Sequence, residues 1–344
     1  MKKRVLPILL AVTLVAAMLF GCGNENASSQ NSANASKYQQ IELVMAVNGT
    51  DIQIDTLVAK KFSELVWDAS EGNIEIVVFP NDQLAGGNAT KGIEMIADGS
   101  VDLAAYASSV MSVLDERLLV GTIPWSYDNY QQAKDAIDNG GGDYYAQLLQ
   151  EHDITYLGSF HNGFRQLTNS KHPVNSPEDV KGLKIRVPGG EVYMGVFNAF
   201  HADPIAMSWS EVFTAIQQGT IDGQENGISI TDTSKMYEVQ DYLTLWNYTY
   251  ENDLFVANST IWNEYLQEDT RELLQQKAKE ACEWGRDYLE AEEEMIINKF
   301  EEHGMQVTRL TQQEMDAFKE VVADFRQELM DKYGQQACEA FQIK

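Results

Sequence analysis

The sequence predicts an α/β protein of two lobes with mixed sheets, strands that cross between the lobes, and one long helix spanning both. Three observations predict it. Short apolar runs of strand character alternate with segments of helical spacing, the pattern of a largely parallel sheet covered by helices. At 344 residues the chain is long enough for two lobes. A run from Glu268 to about His303 is dominated by Glu, Lys, Gln and Ala. It reads as a single helix that, at roughly 1.5 Å per residue, reaches across both lobes.

Residues 1–21 read as an export address. Lys2, Lys3 and Arg4 form a charged start, and Val5 to Phe20 an apolar stretch too short to be a spanning helix. Leu19-Phe20-Gly21-Cys22 resembles a bacterial lipobox. That implies cleavage before Cys22, lipidation of its thiol (palmitate) and a membrane-anchored lipoprotein at the cell surface or in the periplasm. Residues 22–37, rich in Asn, Ser and Ala, read as a flexible tether. The formal charge is −27; without the first 21 residues, 22 basic face 52 acidic side chains, or −30. Such a surface repels nucleic acid, which excludes that partner. Cys282 and Cys338 are too far apart for a CxxC motif, and the sequence allows either two buried thiols or one bridge.

The elements follow in order. Ile41 to Val47 reads as a strand, and Ile54 to Val66 as a helix with Leu57, Phe62 and Leu65 on one side. Ile74 to Phe79 is a second strand. Gly86-Gly87 precedes a helix to about Asp98, and Asp102 to Tyr106 is a third strand. Ligands of such sheets bind beyond the carboxyl ends of the strands. This nominates Asn48 after the first strand, Phe79 and Gln83 around the end of the second, and Tyr106 at the third. Gly140-Gly141-Gly142 lacks a phosphate-loop context and reads as a flexible turn. Ile154 to Phe160 is a strand, followed by a separate run Phe164-Arg165-Gln166-Leu167-Thr168. Tyr242 to Trp246 and Leu254 to Ala257 read as strands that connect the lobes. Asn258 to Trp262 starts a helix, Met305 to Leu310 adds a strand, and two shorter helices close the chain.

The stretch from Pro177 to Asn226 is the most informative. Ser176, Pro177 and Asp179 spell a capped helical turn that Gly182 closes. Leu183, Ile185 and Val187 then alternate with Lys184 and Arg186, and Pro188 ends the strand. Ser208-Trp209-Ser210-Glu211 has capping-box spacing ahead of a helix that Gly219 ends. The Asp222-Gly223 turn leads into Gln224-Glu225-Asn226. A strand ending in a guanidinium beside a polar turn suits capture of a small anion. Arginine is scarce, and only Arg117 lies between the export address and Arg165.

Gly182-Leu183-Lys184-Ile185-Arg186-Val187 followed by Ile221-Asp222-Gly223-Gln224-Glu225-Asn226 resembles the extracytoplasmic solute receptors of TRAP transporters. Phe79-Pro80-Asn81-Asp82-Gln83-Leu84 looks like that family's proline-then-Gln-Leu turn. The resemblance runs from about Ile41 to near the C-terminus. It implies a periplasmic-binding-protein-like fold, with lobe I at 38–162 and 251–290, lobe II at 163–250 and 291–320, and a closing helical segment at 321–344. It implies Arg186 as the carboxylate anchor, with Arg165 and Asn226 as further contacts. Residues around Phe255 and Asn258 line the cleft, and Trp209, Phe79 and Tyr106 are available to wall it. The implied partners are a small organic acid, with a sugar acid such as a hexuronate or aldonate favoured, and a membrane permease. Asn48, Asp51, Gln83, Glu191 and Asn258 are available for its hydroxyls. A C4-dicarboxylate or keto acid, or a receptor role for an ABC-type importer, is the alternative. No cofactor or metal motif is present, and no GxSxG, HExxH or ligand-spaced histidine pair supports an enzyme.

Overall fold

The structure is a computed structural model and describes residues 37–344. The readings placed on Cys22 and on nearly all of the tether lie outside those residues. The first half opens with β1 (Ile41–Val47), α1 (Ile54–Ala69), β2 (Ile74–Phe79), α2 (Ala89–Ala97) and β3 (Leu103–Ala107). α3 (Ser108–Met111), α4 (Tyr130–Ala136) and α5 (Gly142–Gln150) follow. β1 pairs in parallel with β2 on one side and β3 on the other, as helix crossovers demand.

β4 (Ile154–Asn169) is a single strand where the sequence suggested two. The second half contains β5 (Lys184–Val187), α6 (Glu191–Ala199), β6 (Asp203–Ala206), α7 (Trp209–Gln217), β7 (Gly223–Gly227), α8 (Ile228–Thr233) and β8 (Tyr242–Leu245). β9 (Tyr250–Asn258), α9 (Glu268–Glu302), β10 (Gln306–Arg309), α10 (Gln312–Val321), α11 (Ala323–Tyr333) and α12 (Gln335–Ala340) complete the chain. The sheet order is β2-β1-β3-β9-β4-β7-β5-β6, with β8 beside β4 and β10 beside β8.

β4 changes partner along its length. It pairs with β9 up to Phe164 and with β7 from Arg165 onward. A register shift falls between His161 and Gly163, just before the change. Gly163 adopts φ +117°, a backbone state that a side chain disfavours. β8 pairs with β4 and β10 on the second half of the sheet, so it is not a connecting strand as the sequence suggested.

The long helix α9 has 35 residues and buries Leu274, Ala278 and Ala281. It packs along α1, where a Cβ at Gly285 would come within 2.4 Å of Val58. Phe62 from α1 meets Phe255 edge-on at 4.9 Å between ring centroids. Each such fully buried side chain contributes about 1.5–3 kcal/mol. The Gly140–Gly142 segment is a helix kink, not a flexible turn. Its Gly140 and Gly141 lie against Ala340 and Phe341, where a Cβ at Gly141 would meet the Phe341 ring at 2.7 Å. Three helices, not two, close the chain. Cys282 and Cys338 are both buried free thiols.

Candidate functional site

The strand β5 forms as its alternation predicts, and the capped turn before it holds: the Asp179 carboxylate accepts from the Ser176 N–H at 2.9 Å. Ser208 begins α7 without a side-chain cap bond, so the second capping box is present in spacing only. Gln224-Glu225-Asn226 is a buried strand, not the end of a polar turn. β7 lies between β4 and β5, with Asn226 opposite Gln166 and Gln224 beside Arg186. This register brings Arg165 and Arg186, from different strands, to one cavity of ≈ 40 Å³ lined by Asn48, Trp209, Asn226, Asp55 and Asp253 among others.

The two guanidiniums differ in their surroundings. Arg165 is 2% exposed and already held. Its Nε donates to Glu225 Oε2 at 2.5 Å and its Nη2 to Glu225 Oε1 at 2.9 Å, while Nη1 donates to Glu251. Tyr248 Oη donates to Glu225 at 2.6 Å; Tyr193 Oη and the Ser109 N–H donate to Glu251 at 3.1 and 2.9 Å. Burial works against the Arg165 charge, but Glu225 and Glu251 outweigh it and raise the guanidinium well above its ordinary value.

Arg186 is 4% exposed and pairs with no carboxylate among the described residues. Its Nε donates to the Met207 carbonyl at 2.9 Å, and its Cζ lies 5.2 Å from the centroid of the Trp209 ring. Burial, and then the neighbouring Arg165, push it down to about 10. A buried cation without a counter-ion is costly, and a ligand carboxylate would supply what the protein does not.

The cavity lining is also acidic. Asp55, at the start of α1, accepts from the Gly49 and Thr56 N–H groups at 2.5 and 2.8 Å. Asp253 on β9 accepts from Asn162 Nδ2 at 3.1 Å. Gln53 Nε2 and Trp209 Nε1 both donate to the Ser234 hydroxyl, at 3.0 and 3.1 Å, across the cavity's edge.

Of the nominated residues, Arg186, Arg165, Asn226, Trp209 and Asn48 meet at this cavity. Gln83, Tyr106, Phe79 and Asn258 do not line it. Tyr106 is buried with its hydroxyl donating to Asp82 at 2.8 Å, and Asn48 donates to the same carboxylate at 2.5 Å. Asp82 is the working residue of the turn after β2, while Phe79 ends that strand and Gln83 begins a 3₁₀ turn. The Asn258 amide donates to the Ile96 carbonyl at 3.0 Å and accepts from the Ile261 N–H, which caps a helical turn. Phe255 is core. Asp51 and Glu191 pair on the surface with Lys60 and Lys332. Sequence reasoning missed Asp55, Asp253, Asn162, Glu225 and Glu251. Acidic residues are too abundant here for any one to stand out; only pairing with scarce arginines could have singled out the glutamates. A larger groove of ≈ 430 Å³ between α5, β4 and α9 holds Arg286, but both oxygens of Asp138 already accept from it at 2.9 Å.

The family model for bacterial extracellular solute-binding proteins, family 7 (DctP), matches residues 45–333. The 2,3-diketo-L-gulonate-binding periplasmic protein YiaO of Escherichia coli K12 is 30% identical over 78% of this chain and 80% of its own. The C4-dicarboxylate-binding periplasmic protein DctP of Rhodobacter capsulatus is 28% identical over 82% of this chain and 84% of its own. Among solved structures, the sugar acid binding protein of Advenella mimigardefordensis, in complex with galactonate, superposes with a TM-score of 0.84 at 28% identity. That match covers 88% of this chain and 97% of the other. A TRAP periplasmic solute-binding protein from Ralstonia eutropha H16 with bound (S)-2-acetolactate gives 0.83 at 30% identity, over 88% and 98%. The chain belongs to the DctP family of bacterial extracellular solute-binding proteins, the receptors of TRAP transporters.

Proposed function

We propose that this receptor captures a small organic acid between two lobes by its carboxylate, with Arg186 as the anchor, and hands it unchanged to a TRAP membrane permease. The observation that carries this reading is the buried Arg186 guanidinium, which has no carboxylate partner among the described residues and faces a polar cavity. A planar fork and a carboxylate make two parallel charge-assisted bonds, stronger where water is excluded. Arg165, already balanced by Glu225 and Glu251, orients the site and offers at most a remaining N–H. Asn226 and Asn48 contribute polar contacts, and Trp209 covers the guanidinium.

The lobes are assigned as 38–162 with 251–290 and 163–250 with 291–320, and the segment 321–344 closes the chain. The partner change of β4 at Phe164 and Arg165 supports a hinge there. The shared Ser234 hydroxyl links the two sides of the cavity. We assign Cys22 as a lipid anchor that holds the receptor outside the cytoplasm. A sugar acid is the favoured ligand, in keeping with the diketogulonate and galactonate of the relatives; a C4-dicarboxylate is the second reading, in keeping with the Rhodobacter protein.

Calorimetry with galactonate and succinate tests the anchor. Arg186→Ala is expected to cost about 3–5 kcal/mol of binding, because the ligand carboxylate is left buried and unpaired. Arg186→Lys is expected to fail as well, since an ammonium cannot reproduce the fork. Affinity near wild type in either variant removes Arg186 from this role.

A further inference from the structure

The cavity that Arg186 lines also carries acceptors with capacity to spare: Asp55, Asp253 and Asn162. Asn162 is 7% exposed, donates to Asp253, and its Oδ1 has no partner. Asp253 is 1% exposed, and Asn162 is its only side-chain donor among the described residues. Asp55 is 5% exposed and is held by backbone N–H groups alone. Neither aspartate forms an ion pair with a described Lys, Arg or His, because Arg165 is directed to Glu225 and Glu251.

We infer that Asp55, Asp253 and Asn162 form a wall that reads ligand hydroxyls, restricting the site to hydroxylated monocarboxylic acids and rejecting a second carboxylate. This rests on Arg186 holding the first carboxylate. The acceptors come from three different elements, the start of α1, β9 and β4, so they suit several hydroxyls spread along a carbon chain better than one compact ammonium group. A second ligand carboxylate offers no hydrogen-bond donor and would place like charge against two buried acids. Burial raises both carboxyls, and the charge of Asp55 adds to the rise at Asp253, so a further negative charge beside them costs either repulsion or uptake of a proton. An acid without hydroxyls would leave the Asn162 oxygen buried and unmet and the remaining acceptor capacity of the two aspartates unused, the situation in which a polar site discriminates most strongly.

The test is calorimetry on the wild-type protein with gluconate, erythronate, succinate, hexanoate and γ-aminobutyrate. Gluconate or erythronate is expected to bind at least about 100-fold more tightly than succinate, hexanoate or γ-aminobutyrate. In Asp253→Asn, with folding checked by a ligand-free melt, the hydroxy acid is expected to lose about 10-fold or more and the gap to succinate to narrow. Succinate or hexanoate binding as tightly as gluconate overturns the wall while leaving the carboxylate anchor intact. Tightest binding by γ-aminobutyrate reassigns the wall to a cation and overturns the hydroxyl reading. Full hydroxy-acid affinity in Arg186→Lys sinks the anchor independently of the wall, and binding of none of the acids sinks both.

Discussion

Arg165 and Arg186 lie on different strands, line one cavity and are almost equally buried, yet their surroundings are opposite. Arg165 sits among acids: two glutamates accept from it, two tyrosines and a backbone N–H brace those glutamates, and its Cζ lies 5.1 Å from the centroid of the Tyr193 ring. Arg186 has one carbonyl and one indole face. Burial of an arginine does not by itself nominate it as a binding residue; on the function proposed above, the missing counter-charge does. A guanidinium whose charge is balanced by the protein contributes to the fold's uniqueness, whereas one left unbalanced is a cost that a ligand can relieve.

The comparison can be broken most forcefully at Arg165. Glu225→Ala is expected to lower unfolding stability by about 3–5 kcal/mol in urea titration, since it strips Arg165 of a buried partner and leaves the Tyr248 hydroxyl without an acceptor. A loss below about 1 kcal/mol would mean that the two arginines are not energetically distinct. Arg186→Met provides the contrast. Burial and the neighbouring Arg165 push this group down to about 10. Removing its unpaired charge is therefore expected to leave ligand-free stability unchanged or raise it, by up to about 3 kcal/mol. A clear destabilisation in the same titration would show that the protein itself compensates Arg186.

Asp55 sharpens the picture through pH. Burial raises its carboxyl from 3.8 to about 6 against the backbone donors Gly49 and Thr56. In that interval the folded chain retains a proton that the unfolded chain has lost. The stability contributed is present below the unfolded value and is lost as pH rises through about 6. The wild type is thus expected to lose stability relative to Asp55→Asn by at most about 1.4 kcal/mol per pH unit between pH 4 and 6. Parallel melting curves for the two proteins across that range would rule the titration out. The smallest effect is expected at the cavity's edge. Gln53→Ala removes one of the two bonds to Ser234 and should weaken ligand binding by about 0.5–1.5 kcal/mol. Unchanged affinity and an unchanged small-angle scattering profile with ligand would mean that this bond does not hold the cavity shut.

Much of the fold was legible in the residues. Alternating Ile, Leu and Val marked β1 and β2 with their observed ends, and the Glu, Lys and Ala run marked α9. The missteps share a cause. Gly163 falls between the two runs read as separate, although it sits at a shift in the register of one continuous strand, β4, with β9. Gln224-Glu225-Asn226 gave no strand signal because its residues are polar, yet β7 is buried between β4 and β5. Gly140 and Gly141 looked flexible because the ring of Phe341, some 200 residues later, is invisible to local spacing.

The sequence by itself determined the strands and helices, the scarcity of arginine and the delivery of Arg186 at a strand's end, because local periodicity and composition specify these. Only the tertiary structure decided which arginine keeps an unpaired charge, and that Asp55, Asp253 and Asn162 line the same cavity. The physical reason is that pairing and desolvation depend on distances between residues far apart in the chain. An ion pair between positions 165 and 251 leaves no trace in the spacing of either.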